Sequence, residues 1–168
     1  MTIKTGDLLP EGVLNECLEF DPASGCPLNP QTRNVLEEIK GKKIVIFAVP
    51  GAFTPTCSIK HLPGYVSHYD ELKAKGVDEI WCLAVNDAFV LAAWGREQKA
   101  GGKVRLLADG SATYVKSLGL ELDLVAKGMG VRSQRFALIV DNGVVTYLGV
   151  EAPSKFEVSN VGAVLAAL

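Results

Sequence analysis

KKIVIFAVPGAFTPTC, from Lys42 to Cys57, holds a strand and the start of the helix that follows it. After its two lysines, the stretch to Val49 is β-branched and almost wholly apolar, the pattern of a central strand buried on both faces. Thr54 followed by Pro55 reads as an N-cap residue with proline at the first helical position. Cys57 is then the third residue of the helix, close to unpaired backbone N–H groups and the positive end of the helix dipole. Both stabilise negative charge on its sulfur, which a nucleophilic cysteine needs. Thr54 lies three residues before Cys57, so its hydroxyl can reach the same spot as the sulfur. That spacing equally suits an ordinary cap of the Cys57 N–H, and the two roles are compatible. A cysteine in an apolar chain is often an inert buried hydrophobe, and Thr-Pro is a common helix start. Their coincidence at the mouth of a buried strand singles out Cys57.

Working outward, the first thirty residues read as irregular, with DPASGCPLNP (Asp21 to Pro30) an exposed loop. PQTRNVLEEIKG predicts a short helix ending at Gly41. Beyond Cys57, Leu62, Tyr65, Val66, Tyr69 and Leu72 repeat at helical spacing up to Gly76, with a kink expected at Pro63. Next come a strand from Glu79 to Val85, a helix from Ala88 to Lys99 capped by Asp87, a strand from Val104 to Asp109 and a helix from Ser111 to Leu118. Strands Gln134 to Val140 and Val144 to Val150 flank Asp141-Asn142-Gly143, a strong hairpin signal, and Val158 to Leu168 predicts a terminal helix. The order β-α-β-α-β-α-β-β-α predicts one α/β domain over residues 1–168 with a mixed central sheet, a thioredoxin-like arrangement.

Composition narrows the function. Seventeen Lys and Arg against nineteen Asp and Glu give a net charge of −2, which argues against nucleic acid as a partner. No apolar run approaches the roughly 18 to 20 residues that would span a bilayer, so no membrane association is expected. MTIKTGDLLPEG resembles neither a signal peptide nor a transit peptide, and a soluble, cytoplasmic protein is the expectation. The four cysteines, Cys17, Cys26, Cys57 and Cys82, are too sparse for a disulfide scaffold and form no CxxC pair. Cys57 and His61 are four apart, and His68 follows seven later. Only two soft ligands fall on one turn with no carboxylate nearby, so no metal is expected and His61 reads as closing the pocket or packing.

Pro50-x-x-x-Thr54-x-x-Cys57 resembles the active-site motif of the peroxiredoxins, and the fuller PGAFTPTCSIKHLPGY looks like their type II branch. The resemblance continues through VNDAFV (Val85 to Val90), KVRLLADGSATY (Lys103 to Tyr114) and RSQRFALIV (Arg132 to Val140), spanning about Lys40 to Phe156. It implies a thiol peroxidase that reduces hydrogen peroxide and organic hydroperoxides to water and alcohols without any cofactor. Cys57 would be the peroxidatic cysteine, passing through a sulfenic acid. Thr54 would orient the peroxide, Arg135 would hold the thiolate and the developing oxyanion, and Pro50 would shield the sulfur from water. By itself, Arg135 reads as a surface residue opening an edge strand, and Arg132 as a solvated loop charge, with positive potential near the site as its weaker second role. Glutaredoxin with glutathione, or thioredoxin, would be the reductant, and a homodimer is implied.

Cys82 lies 25 residues after Cys57 and matches the position of a resolving cysteine proposed for plant-like members. Yet it stands mid-strand in Trp81-Cys82-Leu83, where burial is the physical default, and a donor thiol could instead attack Cys57 directly. No cysteine follows Cys82, so resolution from a C-terminal loop has no thiol to use. Cys17 and Cys26 match no catalytic position. Two other functions compete: a thioredoxin-like disulfide reductase, against which the missing CxxC counts, and a partner-binding domain without catalysis.

Overall fold

A computed structural model describes residues 1–168. The chain runs β1 (Val13–Glu16), β2 (Glu19–Phe20), β3 (Pro27–Leu28), β4 (Gln31–Asn34), α1 (Val35–Ile39) and β5 (Lys43–Val49). A π-helical turn (Cys57–His61) leads into α2 (Leu62–Ser67), α3 (Tyr69–Ala74), β6 (Glu79–Ala84), α4 (Ala88–Glu97), β7 (Arg105–Ala108) and α5 (Thr113–Leu118). The last part comprises β8 (Glu121–Leu124), a 3-10 turn (Val125–Lys127), β9 (Gly130–Ser133), β10 (Phe136–Asp141), β11 (Val144–Val150) and α6 (Val161–Ala167).

Seven strands form one mixed sheet in the order β11-β10-β5-β6-β7-β1-β4. β5, β6 and β7 are parallel, and the remaining pairings are antiparallel. β5 shows why a continuous apolar run marks a central strand. Val45, Phe47 and Val49 enter a core with Leu62, Tyr65, Leu91 and Trp94. Ile44, Ile46 and Ala48 enter the opposite core with Leu14, Val35, Ile39 and Leu118. Fully burying each large apolar side chain contributes about 1.5–3 kcal/mol, so both faces hold the strand in place. The hairpin turn is as expected, with Asn142 (φ 47°) and Gly143 (φ 87°) both left-handed as its two-residue loop requires.

The chain departs from the sequence reading in several places. Gln31–Asn34, expected to open a helix, is an edge strand paired with Val13–Glu16, which lies in the stretch read as irregular. Asn34 ends that strand and caps α1, its Oδ1 accepting the Glu37 N–H at 3.2 Å. Second, the helix after Cys57 is not one kinked rod. Pro63 has no N–H, and its ring would crowd the carbonyl four residues back. The turn before it is widened, with the Leu62 N–H reaching back to Cys57 O. Third, the paired strands β8 and β9 were not foreseen.

The topology brings four strand ends together at one end of the sheet. Parallel β5 and β6 both point their carboxyl ends there, as ligand sites of open α/β sheets require. Antiparallel β10 starts there, and its Phe136 opposite Ala48 places Arg135 beside the end of β5. β11 ends there too, and the Glu151 N–H donates to Arg135 O at 2.9 Å.

Candidate active site

The turn after β5 folds tightly over the sheet edge. Ala52 N–H donates to Asn86 Oδ1 at 2.9 Å, pinning the turn to the end of β6. Phe53 takes a left-handed conformation (φ 63°) and projects outward. Ser58 N–H donates to Thr54 O at 3.0 Å, so the helix begins where the Thr-Pro pair predicted. The Thr54 side chain does not cap it. Its hydroxyl donates to Gly51 O at 2.7 Å and stands 2.9 Å from Cys57 Sγ.

Cys57 is fully buried, and its sulfur meets a donor from a remote segment. Arg135 Nη2 donates to Sγ at 3.2 Å. Arg135 Nη1 donates to His61 Nδ1 at 2.9 Å, and His61 Nε2 donates in turn to Ser159 O at 2.9 Å. Burial, then the Arg135 charge, pushes the His61 pKa down to about 3. The imidazole is therefore neutral, and a neutral ring with Nε2 protonated has the lone pair on Nδ1 that Arg135 requires. His61 packs between Phe47, Tyr65 and Phe156, at centroid separations of 4.8, 5.7 and 4.9 Å. Pro50 is partly buried, and its carbonyl accepts from Arg132 Nη1 at 3.2 Å. Arg132 is thus anchored on the turn rather than left as a solvated loop charge.

Of the residues singled out, Thr54, Cys57 and Arg135 converge, and Pro50 lines the same turn. Cys82 is fully buried in the same core as Cys57. It lies mid-strand between paired neighbours β5 and β7, and burial pushes its thiol pKa well up. Cys17 is buried with its Sγ on Leu28 O at 2.8 Å, and Cys26 is exposed. No three metal-ligating side chains converge, and no helix is long and apolar enough to cross a membrane. Sequence reasoning missed Asn86, Phe156 and Ser159. Asn86 carried a readable signal, a polar residue at the carboxyl end of a parallel strand; Phe156 and Ser159 carried none. A concavity of about 920 Å³ lies elsewhere, against Glu16, Phe20, Arg96 and Arg105. A reaction at two peroxide oxygens needs no such volume.

The site can do nucleophilic sulfur chemistry: the Thr54 hydroxyl oxygen stands against the sulfur, and a fixed cationic donor, Arg135, faces it. Comparison with known proteins points the same way. The family model described as Redoxin matches residues 4–165. The chain is 48% identical to Peroxiredoxin-2B of Arabidopsis thaliana, over 99% of this chain and 98% of that protein. It is 49% identical to the chloroplastic Peroxiredoxin-2E-2 of rice, over 99% and 73%. Among solved structures it is similar to reduced Prx3 of Vibrio vulnificus in complex with hydrogen peroxide, with a TM-score of 0.88 and 52% identity over 99% of this chain and 96% of that one.

Proposed function

This chain belongs to the Redoxin family and, within it, to the type II peroxiredoxins, which are thiol-dependent peroxidases, and we propose that Cys57 is the sulfur through which it reduces hydroperoxides. One observation carries the assignment: Thr54 Oγ1 and Arg135 Nη2, 78 residues from Cys57, both meet its Sγ.

In the proposed reaction the Cys57 thiolate attacks the terminal peroxide oxygen. An S–O bond forms as the O–O bond breaks, and the sulfur loses the two electrons that the peroxide gains. The departing oxygen takes up a proton and leaves as water or an alcohol. Arg135 holds the sulfur's negative charge and then the charge that develops on the leaving oxygen. The Thr54 proton is committed to Gly51 O, so the oxygen lone pairs face the sulfur and can accept the O–H of an incoming hydroperoxide. Pro50, closed by Arg132, keeps water from the turn.

The sulfenic acid is then reduced by two thiols. The first displaces water to give a mixed disulfide, and the second releases Cys57 as a thiol. We assign the first attack to an external donor, glutathione with glutaredoxin, in preference to Cys82. The support is physical: Cys82 is locked in a strand paired on both edges, and burial disfavours its thiolate. Thioredoxin is the alternative donor. Four unpaired thiols suit a reducing, cytoplasmic setting. A homodimer is part of the same proposal, supported by Phe53, Ile59 and Phe89, which expose 53, 71 and 48% of their surface.

The test is Cys57→Ser. Peroxide consumption is expected to vanish with every donor, and brief peroxide treatment should add one oxygen to the wild-type mass but none to the variant. Undiminished turnover by the variant would refute the assignment.

A further inference from the structure

We propose that Glu151 is a positioning residue for the Cys57 site: its carboxylate locks the turn from Phe156 to Ser159, which holds His61 and so aims Arg135 at the sulfur. The inference rests on the peroxidase reading above and goes beyond it, since Glu151 touches neither Cys57 nor any peroxide.

Glu151 follows directly on β11. Its Oε1 and Oε2 both accept from Glu157 N at 2.9 Å, and Oε2 accepts from Val158 N at 3.0 Å and Ser159 N at 2.8 Å. Ser159 Oγ adds a fourth donor at 2.6 Å. Three consecutive backbone N–H groups thus wrap one carboxylate, an anion nest supplied with an internal anion. Burial alone would raise the Glu151 pKa, but the bonds from Glu157, Ser159 and Val158 outweigh it and lower it, so the carboxylate is ionised. The turn is pressed onto β11 as well: Tyr147 Oη donates to Val158 O at 2.6 Å, and a Cβ on Gly149 would collide with that same carbonyl.

What the turn presents inward belongs to the site. Ser159 is fully buried, and its carbonyl accepts from both His61 Nε2 and Tyr65 Oη, the latter at 2.7 Å. Phe156 meets the His61 ring edge-on, and the Arg135 guanidinium lies 5.9 Å above the Phe156 ring. The logic is one of tautomers. His61 offers Nδ1 to Arg135 only while its single proton sits on Nε2, and that proton needs an acceptor, which Ser159 O supplies. If the turn drifts, the ring can place its proton on Nδ1, where it faces a guanidinium with nothing to accept. The fork then loses the support that points Nη2 at Cys57.

Glu151→Gln keeps the shape and removes the charge. Oxidation of Cys57 by hydrogen peroxide is expected to slow by about 10- to 100-fold, the cost of a misaligned catalytic group. Iodoacetamide alkylation of Cys57 should shift to higher pH, because the cation no longer faces the sulfur. In a His61→Gln background, Glu151→Gln should add almost nothing, since the two act in series. The proposal is overturned if Glu151→Gln only lowers stability, with oxidation rate and alkylation profile unchanged, or if its full cost recurs in the His61 variant. Should Glu151→Gln fail to fold, Ser159→Ala removes one bond to Oε2, keeps the backbone and is read in the same way. Were the wild type inert to hydrogen peroxide, the peroxidase reading would fall by itself, since the alkylation profile still reports the placement of Arg135.

Discussion

Replacing Arg135 with alanine removes two bonds at once, Nη2 to Cys57 Sγ at 3.2 Å and Nη1 to His61 Nδ1 at 2.9 Å. The two losses register in different experiments. The sulfur loses a preorganised cationic donor at the point where charge moves, and removing one such donor costs about 10²–10³ in rate. At about 1.4 kcal/mol per factor of ten, that is roughly 3–4 kcal/mol of transition-state stabilisation. His61 Nδ1 is left buried without a donor, which costs about 1–3 kcal/mol of folding stability. Arg135→Lys separates the two. One ammonium keeps the charge but cannot serve sulfur and imidazole together, so it should recover part of the rate while leaving the stability loss in place. The assay is stopped-flow oxidation by hydrogen peroxide followed by tryptophan fluorescence. Trp94 Nε1 donates to Ser58 Oγ at 3.0 Å, one residue from Cys57, and so sits where the change occurs. Urea unfolding of the same variants gives the stability arm. Wild-type oxidation rates in Arg135→Ala would refute the argument, as would a lysine variant that restores both rate and stability.

His61 makes the fold acid-sensitive. Its pKa falls from 6.5 unfolded to about 3 folded, so below pH 6.5 the unfolded chain takes a proton that the folded one refuses. The stability this group confers is complete above pH 6.5 and falls by about 1.4 kcal/mol per pH unit as the solution is acidified towards 3. Between pH 7.5 and 5.0 urea unfolding should therefore show a loss of about 2 kcal/mol from this residue that is absent in His61→Gln; equal pH dependence in both proteins would count against it. Cys82→Ser should leave turnover with glutathione and glutaredoxin unchanged, and a collapse confined to the thioredoxin-coupled assay would restore Cys82 as the resolving thiol. Phe53→Ser with Phe89→Ser should convert a dimer to a monomer in sedimentation velocity, whereas an unaltered dimer would move the interface elsewhere.

What the sequence made legible was what it encodes locally. β5 is a run of adjacent apolar residues, the helix start is a Thr-Pro pair, and the hairpin turn is a dipeptide, so each could be read in one window. β1 and β4 escaped because they are four-residue strands, too short for alternation to stand out, and Leu14 is the only apolar side chain that they bury. The site divides along the same line. Thr54 and Cys57 are neighbours on one turn and could be paired from spacing alone. Arg135 came only through resemblance, because its own surroundings in the sequence suggest an exposed strand end. The order from Glu151 through Ser159 and His61 to Arg135 joins positions up to 98 residues apart by side chain and carbonyl, and no periodicity marks such contacts.

Two half-buried arginines of this fold show why one is a hub of structure and the other faces the reactive sulfur. Arg105 is spent on carboxylates: Glu16 at 2.8 Å, Glu38 at 2.8 Å and Glu79 at 3.1 Å. Its charge is neutralised where it stands, and it ties β1, α1 and β6 together. Arg135 instead takes an uncharged imidazole as its second partner. A carboxylate in the place of His61 would hold the guanidinium as firmly but would cancel the field that the Cys57 sulfur experiences. A charged imidazole could not accept the bond at all. A neutral ring with its lone pair on Nδ1 both fixes the arginine and leaves its positive charge unspent. The deep burial that keeps His61 neutral is therefore a requirement of the chemistry at Cys57, and the turn closed by Glu151 completes that burial.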